Sequence, residues 1–209
     1  MLAEAILDEL WLFDDPAQSE ARFRVELEQG GPWEDTERAE LTTQLARAIG
    51  LQGRFDEAAA LLIELGDEAS VVGVRVLLES GRLMNGSGHP DPAVGLFRQA
   101  ATIAARAELL FLQLDALHML AMVDPGGAED WTAQAAELAE ASPDARIRRW
   151  LVTLHSNLGW YRLESSDPSA ALESFLEASR WADLVGTDDQ RTWAAEAIAE
   201  CTAVLEAAE

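Results

Sequence analysis

The sequence predicts an all-α protein, and three observations carry that prediction. Alanine and leucine are abundant while tyrosine occurs once, a composition that favours helix over sheet. Apolar residues recur at helical spacing along nearly the whole chain. Short clusters of glycine, proline and aspartate interrupt this pattern at regular intervals. Counting the segments between these interruptions gives about eleven helices.

Residues 1–32 are predicted to form a helical hairpin at the N-terminus. The first helix is expected over residues 2–12. Asp15 has the residue type of an N-cap, and Pro16 follows in the first helical position, where its missing N–H is tolerated. The second helix should end near Glu28, before two glycines and a proline. We interpret this hairpin as a cap of the kind that repeat proteins need.

Residues 33–185 contain about four helix-turn-helix units. Each unit places a small alanine early in its second helix, and successive alanines are 35, 35 and 43 residues apart. A fixed period in this range predicts stacked hairpins that bury one another's apolar faces. The larger last interval predicts a longer connection or helix in the third unit. The four alanines are Ala58, Ala93, Ala128 and Ala171.

The best-formed unit covers residues 157–178. Gly159 is small where two helices must approach closely, and Phe175 is large where the gap needs filling. Asp167 and Pro168 mark the turn between the two helices. A final helix over residues 188–207 is expected to cap the C-terminus, so that residues 187–209 complete a single domain spanning 1–209.

These units resemble the tetratricopeptide (TPR) repeat over about residues 40–180. The stretch GRFDEA at 53–58 is similar to the TPR turn, and DALHMLA followed by SNLGW resembles a group of bacterial TPR proteins with no assigned activity. The resemblance implies a right-handed α-α superhelix, a TPR-like solenoid that serves as a protein-binding scaffold. It does not extend to the dicarboxylate clamp of chaperone-binding TPR proteins, because the lysine and asparagine pattern of that clamp is absent.

The charge composition narrows the classes of partner. A net charge of −23 makes nucleic acids and anionic membrane surfaces unfavourable partners, although acidity also simply keeps proteins soluble. All 15 basic residues are arginines and none is lysine. That bias is typical of GC-rich genomes, which suggests a bacterium such as an actinomycete.

Targeting and redox signals both predict a cytoplasmic protein. The first ten residues carry acids where a signal peptide would carry bases. No apolar run reaches the length of a membrane span. Cys201 is the single cysteine, which excludes a disulfide framework, and its alanine and isoleucine neighbours predict a small buried hydrophobe.

No pattern in the sequence points to catalysis or to a cofactor. Phosphate-binding loops, GxSxG and HExxH are absent, and we expect a non-enzymatic protein without a metal site. His118 and His155 are 37 residues apart, about one repeat, and could face each other on adjacent units. We interpret them as packed, hydrogen-bonded histidines, with metal or catalytic use as the alternative.

The TPR resemblance also implies where a ligand would bind. In that family the first helix of each hairpin lines a concave groove, which here would be basic toward the N-terminus and apolar toward the C-terminus. The residues expected to line this groove are Arg47, Arg75, Leu78, Arg82, Asn85, Gln113, Leu117, Ser156, Trp160 and Leu163.

The groove suggests a peptide or helix of a partner protein as its ligand. We hypothesise that Arg47 and Arg82 pair with an acidic group of that ligand. The competing interpretation is that these arginines neutralise local acids such as Glu40 and Glu79. Two other functions stay open: a self-assembling scaffold, such as a homodimer formed through tryptophan-bearing terminal helices, and a small-ligand receptor or enzyme using the groove between repeats.

Overall fold

A computed structural model describes residues 4–65 and 70–207 of the protein, with the side chains of residues 4 and 5 left out. All regular secondary structure in these ranges is helical, which confirms the all-α prediction. None of the described helices is long and apolar enough to span a membrane. The helices are α1 (Glu4–Leu10), α2 (Pro16–Glu28), α3 (Asp35–Gly50), α4 (Phe55–Leu65), α5 (Val71–Gly86), α6 (Pro90–Arg106), α7 (Leu110–Val123), α8 (Ala128–Glu140), α9 (Ala145–Arg148), α10 (Trp150–Glu164), α11 (Pro168–Val185) and α12 (Asp188–Ala207).

The predicted helix pattern is confirmed over the described residues, with one addition. Eleven of these helices are seven residues or longer, and α9 is a single turn of four residues between α8 and α10. This extra turn explains why Ala128 and Ala171 are further apart than the other repeat alanines. The predicted start of α2 is also confirmed, because the Asp15 side chain accepts a hydrogen bond from the Gln18 backbone N–H at 2.9 Å.

The chain divides into two compact units, Met1–Ala116 and Leu117–Glu209, with the boundary inside α7. The first unit packs α2 on α3, α3 on α4 and α5, and α5 on α6. The second packs α8 and α11 on α10, and α12 on α11. Sequence analysis predicted one domain for the whole chain. The superhelical arrangement of all the hairpins stays a prediction.

Two hairpins, one in each unit, are built around the same pair of residue types. A methyl group at Gly81 would lie 2.5 Å from the ring of Phe97, and one at Gly159 would lie 2.5 Å from the ring of Phe175. Both phenylalanines are fully buried. Because glycine has no side chain, α5 packs against α6, and α10 against α11, more closely than any larger residue at Gly81 or Gly159 would allow.

The turns of three hairpins share one backbone geometry. A residue two or three positions after the end of the first helix has a left-handed φ, of 76° at Gly53, 86° at Gly88 and 64° at Ser166. The buried repeat alanine follows five residues later in each case. Glycine adopts this conformation without steric cost, whereas Ser166 does so with a side chain. The connection from α7 to α8 instead passes through a single 3-10 turn at Pro125–Gly127.

A buried carboxylate fixes the N-terminal hairpin against the repeats. Glu20 on α2 accepts hydrogen bonds from Arg24 at 2.7 Å, from Gln52 at 2.7 Å and from Arg54 at 2.6 Å. Burial by itself would raise the pKa of Glu20, but these three donors lower it overall. The hairpin is thereby held on the turn between α3 and α4, which brings Trp11 near α3.

We predict that Gly159→Ala destabilises the protein by about 1–3 kcal/mol, because the new methyl group overlaps the buried ring of Phe175. The matched control is Gly95→Ala, in the interior of α6, where a methyl group would meet nothing within 4 Å. That control should gain about 0.5–1 kcal/mol from alanine's higher helix propensity. Chemical denaturation measures both free energies of unfolding, and a neutral Gly159→Ala would contradict the close approach.

Candidate functional site

The first helices of the hairpins in the Met1–Ala116 unit carry a layer of charged side chains. Two of its pairs join different helices: Arg75 Nε lies 3.1 Å from Glu40 Oε2, and Arg82 lies 2.5 Å from Asp115. Arg82 also lies 2.6 Å from Glu79, one turn away on α5. We call this set the charged layer. It consists of Glu40, Arg47, Arg75, Glu79, Arg82 and Asp115.

Two of the three arginines in the charged layer neutralise carboxylates of the protein itself. Glu40 is fully buried and Glu79 is 2 % exposed, so each requires a cation nearby. Burial lowers the pKa of Arg82, but the carboxylates of Asp115 and Glu79 more than reverse that effect and raise it overall. Arg82 therefore pairs with a local acid, as the competing interpretation of Arg47 and Arg82 proposed, and Arg75, which that interpretation did not include, pairs with Glu40.

Arg47 differs from the other two arginines because no carboxylate among the described residues pairs with it. Its guanidinium carbon lies 5.4 Å from the ring centre of Trp11 and 5.5 Å from that of Phe13. The two rings stack in parallel with their centres 4.7 Å apart. The Trp11 indole N–H donates to Gln44 Oε1 at 3.0 Å, which holds the stack in place. Arg47 thus gains cation–π contacts in place of an ion pair.

The environment of Arg47 is unfavourable for its charge. Burial lowers the pKa of Arg47, and the positive charge of Arg82 lowers it further, while Glu79 and Asp115 offset part of the effect. Its Nε atom is buried and has no hydrogen-bond partner among the described residues. A desolvated cation without an acceptor is costly, and such groups are enriched at functional sites.

Arg47 opens onto a cleft of about 330 Å³ between the C-terminal ends of α3 and α5. Phe13, which stacks beside Arg47, is 62 % exposed. Gly86 helps to keep the cleft open. A methyl group at this position would lie 3.2 Å from the ring of Phe55 and would occupy part of the cleft. The lining residues are Arg47, Gly50, Leu51, Gly53, Phe55, Glu79, Arg82, Leu83 and Gly86. We call this the Arg47 cleft.

Two of the predicted groove residues in the Leu117–Glu209 unit contact apolar side chains instead of a layer of charges. Trp160 and Leu163 pack against a buried cluster that includes Phe175 and Cys201. The Trp160 and Phe175 rings meet edge to face with their centres 5.0 Å apart. Trp160 also lines a cavity of about 240 Å³ together with Met122, Asn157 and Tyr161, among others.

The remaining predicted groove residues are distributed between core and surface. Leu78 and Leu117 are buried, so neither is available to a partner in this conformation. Asn85 is exposed, and Gln113 and Ser156 are half-buried. Of the ten predicted residues, the structure brings together the arginines 47, 75 and 82 in the first unit and residues 160 and 163 in the second.

Sequence analysis did not identify the aromatic residues that accompany Arg47. Trp11 and Phe13 belong to the N-terminal hairpin, which we interpreted only as a cap, and Phe55 is the first residue of α4. The contacts of Trp11 and Phe13 with Arg47 join segments more than thirty residues apart in sequence, and Phe55 lines the same cleft. The available signal in the sequence was the position of Phe13, a large apolar residue directly before Asp14, Asp15 and Pro16.

The histidines and the cysteine have structural contacts. Asn157 Nδ2 lies 2.7 Å from His118 Nε2, and the His118 ring lies 5.5 Å from that of Trp150. His155 is half-buried. Cys201 is fully buried, with Sγ 3.2 Å from the Pro168 carbonyl oxygen, and burial raises the pKa of its thiol. Within the described ranges no three His, Cys, Asp or Glu side chains are placed to hold a metal ion.

No protein-family model matches the chain, and no curated protein matches it either. The TPR resemblance therefore rests on the residues and turns described above.

We predict that Arg75→Met destabilises the protein by about 3–5 kcal/mol, because it leaves the fully buried Glu40 without its cation. The double variant Arg75→Met, Glu40→Leu should recover much of that loss, since it removes both buried charges. Denaturant titrations of the single and double variants measure the difference. Equal stability of the two variants would contradict this explanation, because removing the unpaired carboxylate would then recover nothing.

We predict that protonation of His155 destabilises the fold. Burial lowers the pKa of His155 in the native state, with Glu177 and Glu140 opposing the shift and Arg180 and Arg162 reinforcing it. The unfolded chain therefore binds a proton first, and stability should fall as pH drops below about 6.5. The loss due to this one group is at most about 1.4 kcal/mol per pH unit.

Urea denaturation at pH 7.5 and 5.5 tests the role of His155. The variant His155→Gln should lose less stability than the wild type between the two pH values. His89→Gln is the matched control, because it makes the same substitution at an exposed position away from His155. If His155→Gln keeps the full wild-type dependence, another group is responsible.

Proposed function

We propose that the protein is a non-enzymatic interaction module that binds a segment of a partner protein, with the Arg47 cleft as one recognition site. The observation that carries this proposal is the Arg47 guanidinium, which borders an open cleft without an acceptor among the described residues. The chain has 38 acidic residues and 15 arginines. In such an excess of acids, an arginine without a carboxylate partner is best explained by a ligand that supplies the acceptor.

The composition of the Arg47 cleft supports a protein partner. Arginine and aromatic side chains are the residue types that contribute most binding energy at protein interfaces. Arg47, Phe13 and Phe55 bring both types to one place, and Phe13 is already exposed. The layer beneath them is fixed by ion pairs, so the site needs little ordering when a partner binds. We propose a cytoplasmic, bacterial setting for this partner.

The Trp160 cavity supports a second contact in the other unit. Met122 lies at its edge and is 56 % exposed, and methionine adapts its shape to varied apolar surfaces. Trp160 forms one wall, held by its edge-to-face contact with Phe175. An apolar side chain of a partner would fit this wall.

Self-association is a second candidate, supported by one observation on α12. Trp193 is 62 % exposed and Val204 is also exposed, so the last helix presents large apolar side chains to solvent. A homodimer through this helix would bury them. Sedimentation analysis of wild type and Trp193→Ser tests it, because a dimer that depends on Trp193 dissociates in the variant, whereas a concentration-independent monomer excludes this function.

Site-specific photocrosslinking tests the role of the Arg47 cleft. We predict that a benzoylphenylalanine at position 13 captures a partner in a lysate of the source organism, and that Arg47→Met reduces this capture at least about tenfold by removing the guanidinium. Methionine keeps the apolar stem that packs on Trp11 and Phe13. The crosslinked products are identified by mass spectrometry.

Two controls make the crosslinking result specific. The same amino acid at Leu184, which is 59 % exposed in the other unit, should not give an Arg47-dependent product. Thermal unfolding of Arg47→Met establishes that the variant is folded. A position-13 product whose yield does not change with Arg47→Met would contradict recognition at this cleft.

A further inference from the structure

Two buried atoms of opposite hydrogen-bonding character border the Arg47 cleft without partners. Arg47 Nε is a donor with no acceptor, and Glu79 Oε2 is an acceptor with no donor, among the residues that the structure describes. Both side chains line the same cleft. Glu79 uses its other oxygen to accept from Arg82 at 2.6 Å. A ligand that satisfies both atoms must present one acceptor and one donor together.

The charge of the site favours a neutral ligand. The charged layer contains three arginines and three carboxylates, so it is balanced before anything binds. A carboxylate bound at Arg47 would add a negative charge beside Glu79 and Asp115, in a protein whose net charge is already −23. A neutral polar group avoids this repulsion and still supplies an acceptor to the guanidinium.

The hydrogen-bonding geometry distinguishes among neutral groups. The guanidinium carbon of Arg47 lies 5.4 Å and 5.5 Å from the ring centres of Trp11 and Phe13, and its Nε–H has no acceptor among the described residues, so this N–H is left for a ligand. A trans main-chain peptide group points its C=O and N–H in opposite directions and would satisfy only one of the two atoms. A primary carboxamide presents its oxygen and an N–H on the same edge.

We propose that the Arg47 cleft receives the side-chain carboxamide of a glutamine or asparagine from the partner protein. Its oxygen accepts from the Arg47 guanidinium, and its N–H donates to Glu79 Oε2. The apolar walls at Phe55 and Leu83 would pack against the methylene groups of the side chain. This assignment rests on the proposed function, since it names the group that the interaction module recognises.

Arginine-selective NMR measures binding at the proposed atom itself. In a ¹⁵N-labelled protein each arginine gives an Nε–H signal, and the Arg47 signal is the one lost in Arg47→Met. The probes are the blocked tripeptides acetyl-Gly-Gln-Gly-amide, acetyl-Gly-Glu-Gly-amide and acetyl-Gly-Met-Gly-amide. We expect the glutamine peptide to shift the Arg47 signal and to bind at least about tenfold more tightly than the other two, because only it satisfies both buried atoms.

The salt dependence separates a carboxamide from a carboxylate ligand. Binding of the neutral glutamine peptide should change little between 50 and 500 mM salt, whereas a carboxylate contact would weaken as salt screens the charges. Tighter binding of the glutamate peptide, with a strong salt dependence, would overturn the carboxamide assignment. So would an Arg47 signal that none of the three peptides shifts, which is the result expected if an ordered water satisfies the two atoms.

Glu79→Gln provides a change in specificity that a purely structural role would not produce. The new carboxamide can donate an N–H toward the ligand, so the variant should bind the glutamate peptide better than the glutamine peptide, the reverse of the wild type. Arg82 keeps its contact with Asp115 in this variant. Glu64→Gln, at an exposed position on α4, is the matched control and should keep the wild-type preference.

The outcomes also separate this inference from the proposed function. Loss of the position-13 crosslink in Arg47→Met, together with no preference among the three peptides, would support the interaction module and overturn the carboxamide assignment. A glutamine preference that reverses in Glu79→Gln would support the assignment directly. Unchanged preference in Glu79→Gln would overturn it, because the proposed acceptor would then contribute nothing.

Discussion

The close approach of paired helices at a glycine facing a phenylalanine is the constraint on which the rest of this structure depends. Gly81 with Phe97 and Gly159 with Phe175 set the spacing within two hairpins, one in each compact unit. Close packing leaves no room for a side chain larger than hydrogen at either glycine. The same hairpins share a left-handed turn residue and a buried alanine five residues later. Repetition of this local geometry fixes which face of each first helix points away from its partner.

In the first unit that outward face carries charges instead of apolar residues. Ion pairs between successive first helices neutralise buried carboxylates, and this explains why Arg75 and Arg82 are present at all. These ion pairs make the charged layer rigid and balanced in charge. Arg47 is the exception in this layer, since it is held by aromatic faces and has no acceptor. The proposal of a binding role follows from that exception, not from the arginines as a group.

The physical character of the Arg47 cleft constrains its ligand more than the net charge of the protein does. Long-range repulsion from a charge of −23 acts on every acidic ligand, but it does not select among neutral ones. Selection comes from one donor and one acceptor left unsatisfied at short range. Unsatisfied buried polar atoms discriminate strongly, because the wrong ligand leaves them unpaired.

The sequence by itself determined the helices, the turns and the small-to-large contacts, because periodicity, capping residues and glycine placement act within about forty residues of chain. It also indicated that arginines 47, 75 and 82 share one face. Only the tertiary structure decided which of them are neutralised, since Arg82 meets Asp115 and Arg75 meets Glu40 across separate helices. The same holds for Trp11 and Phe13, which reach Arg47 from a hairpin more than thirty residues away. Pairing over such distances depends on packing, and hydrophobic periodicity carries no information about it.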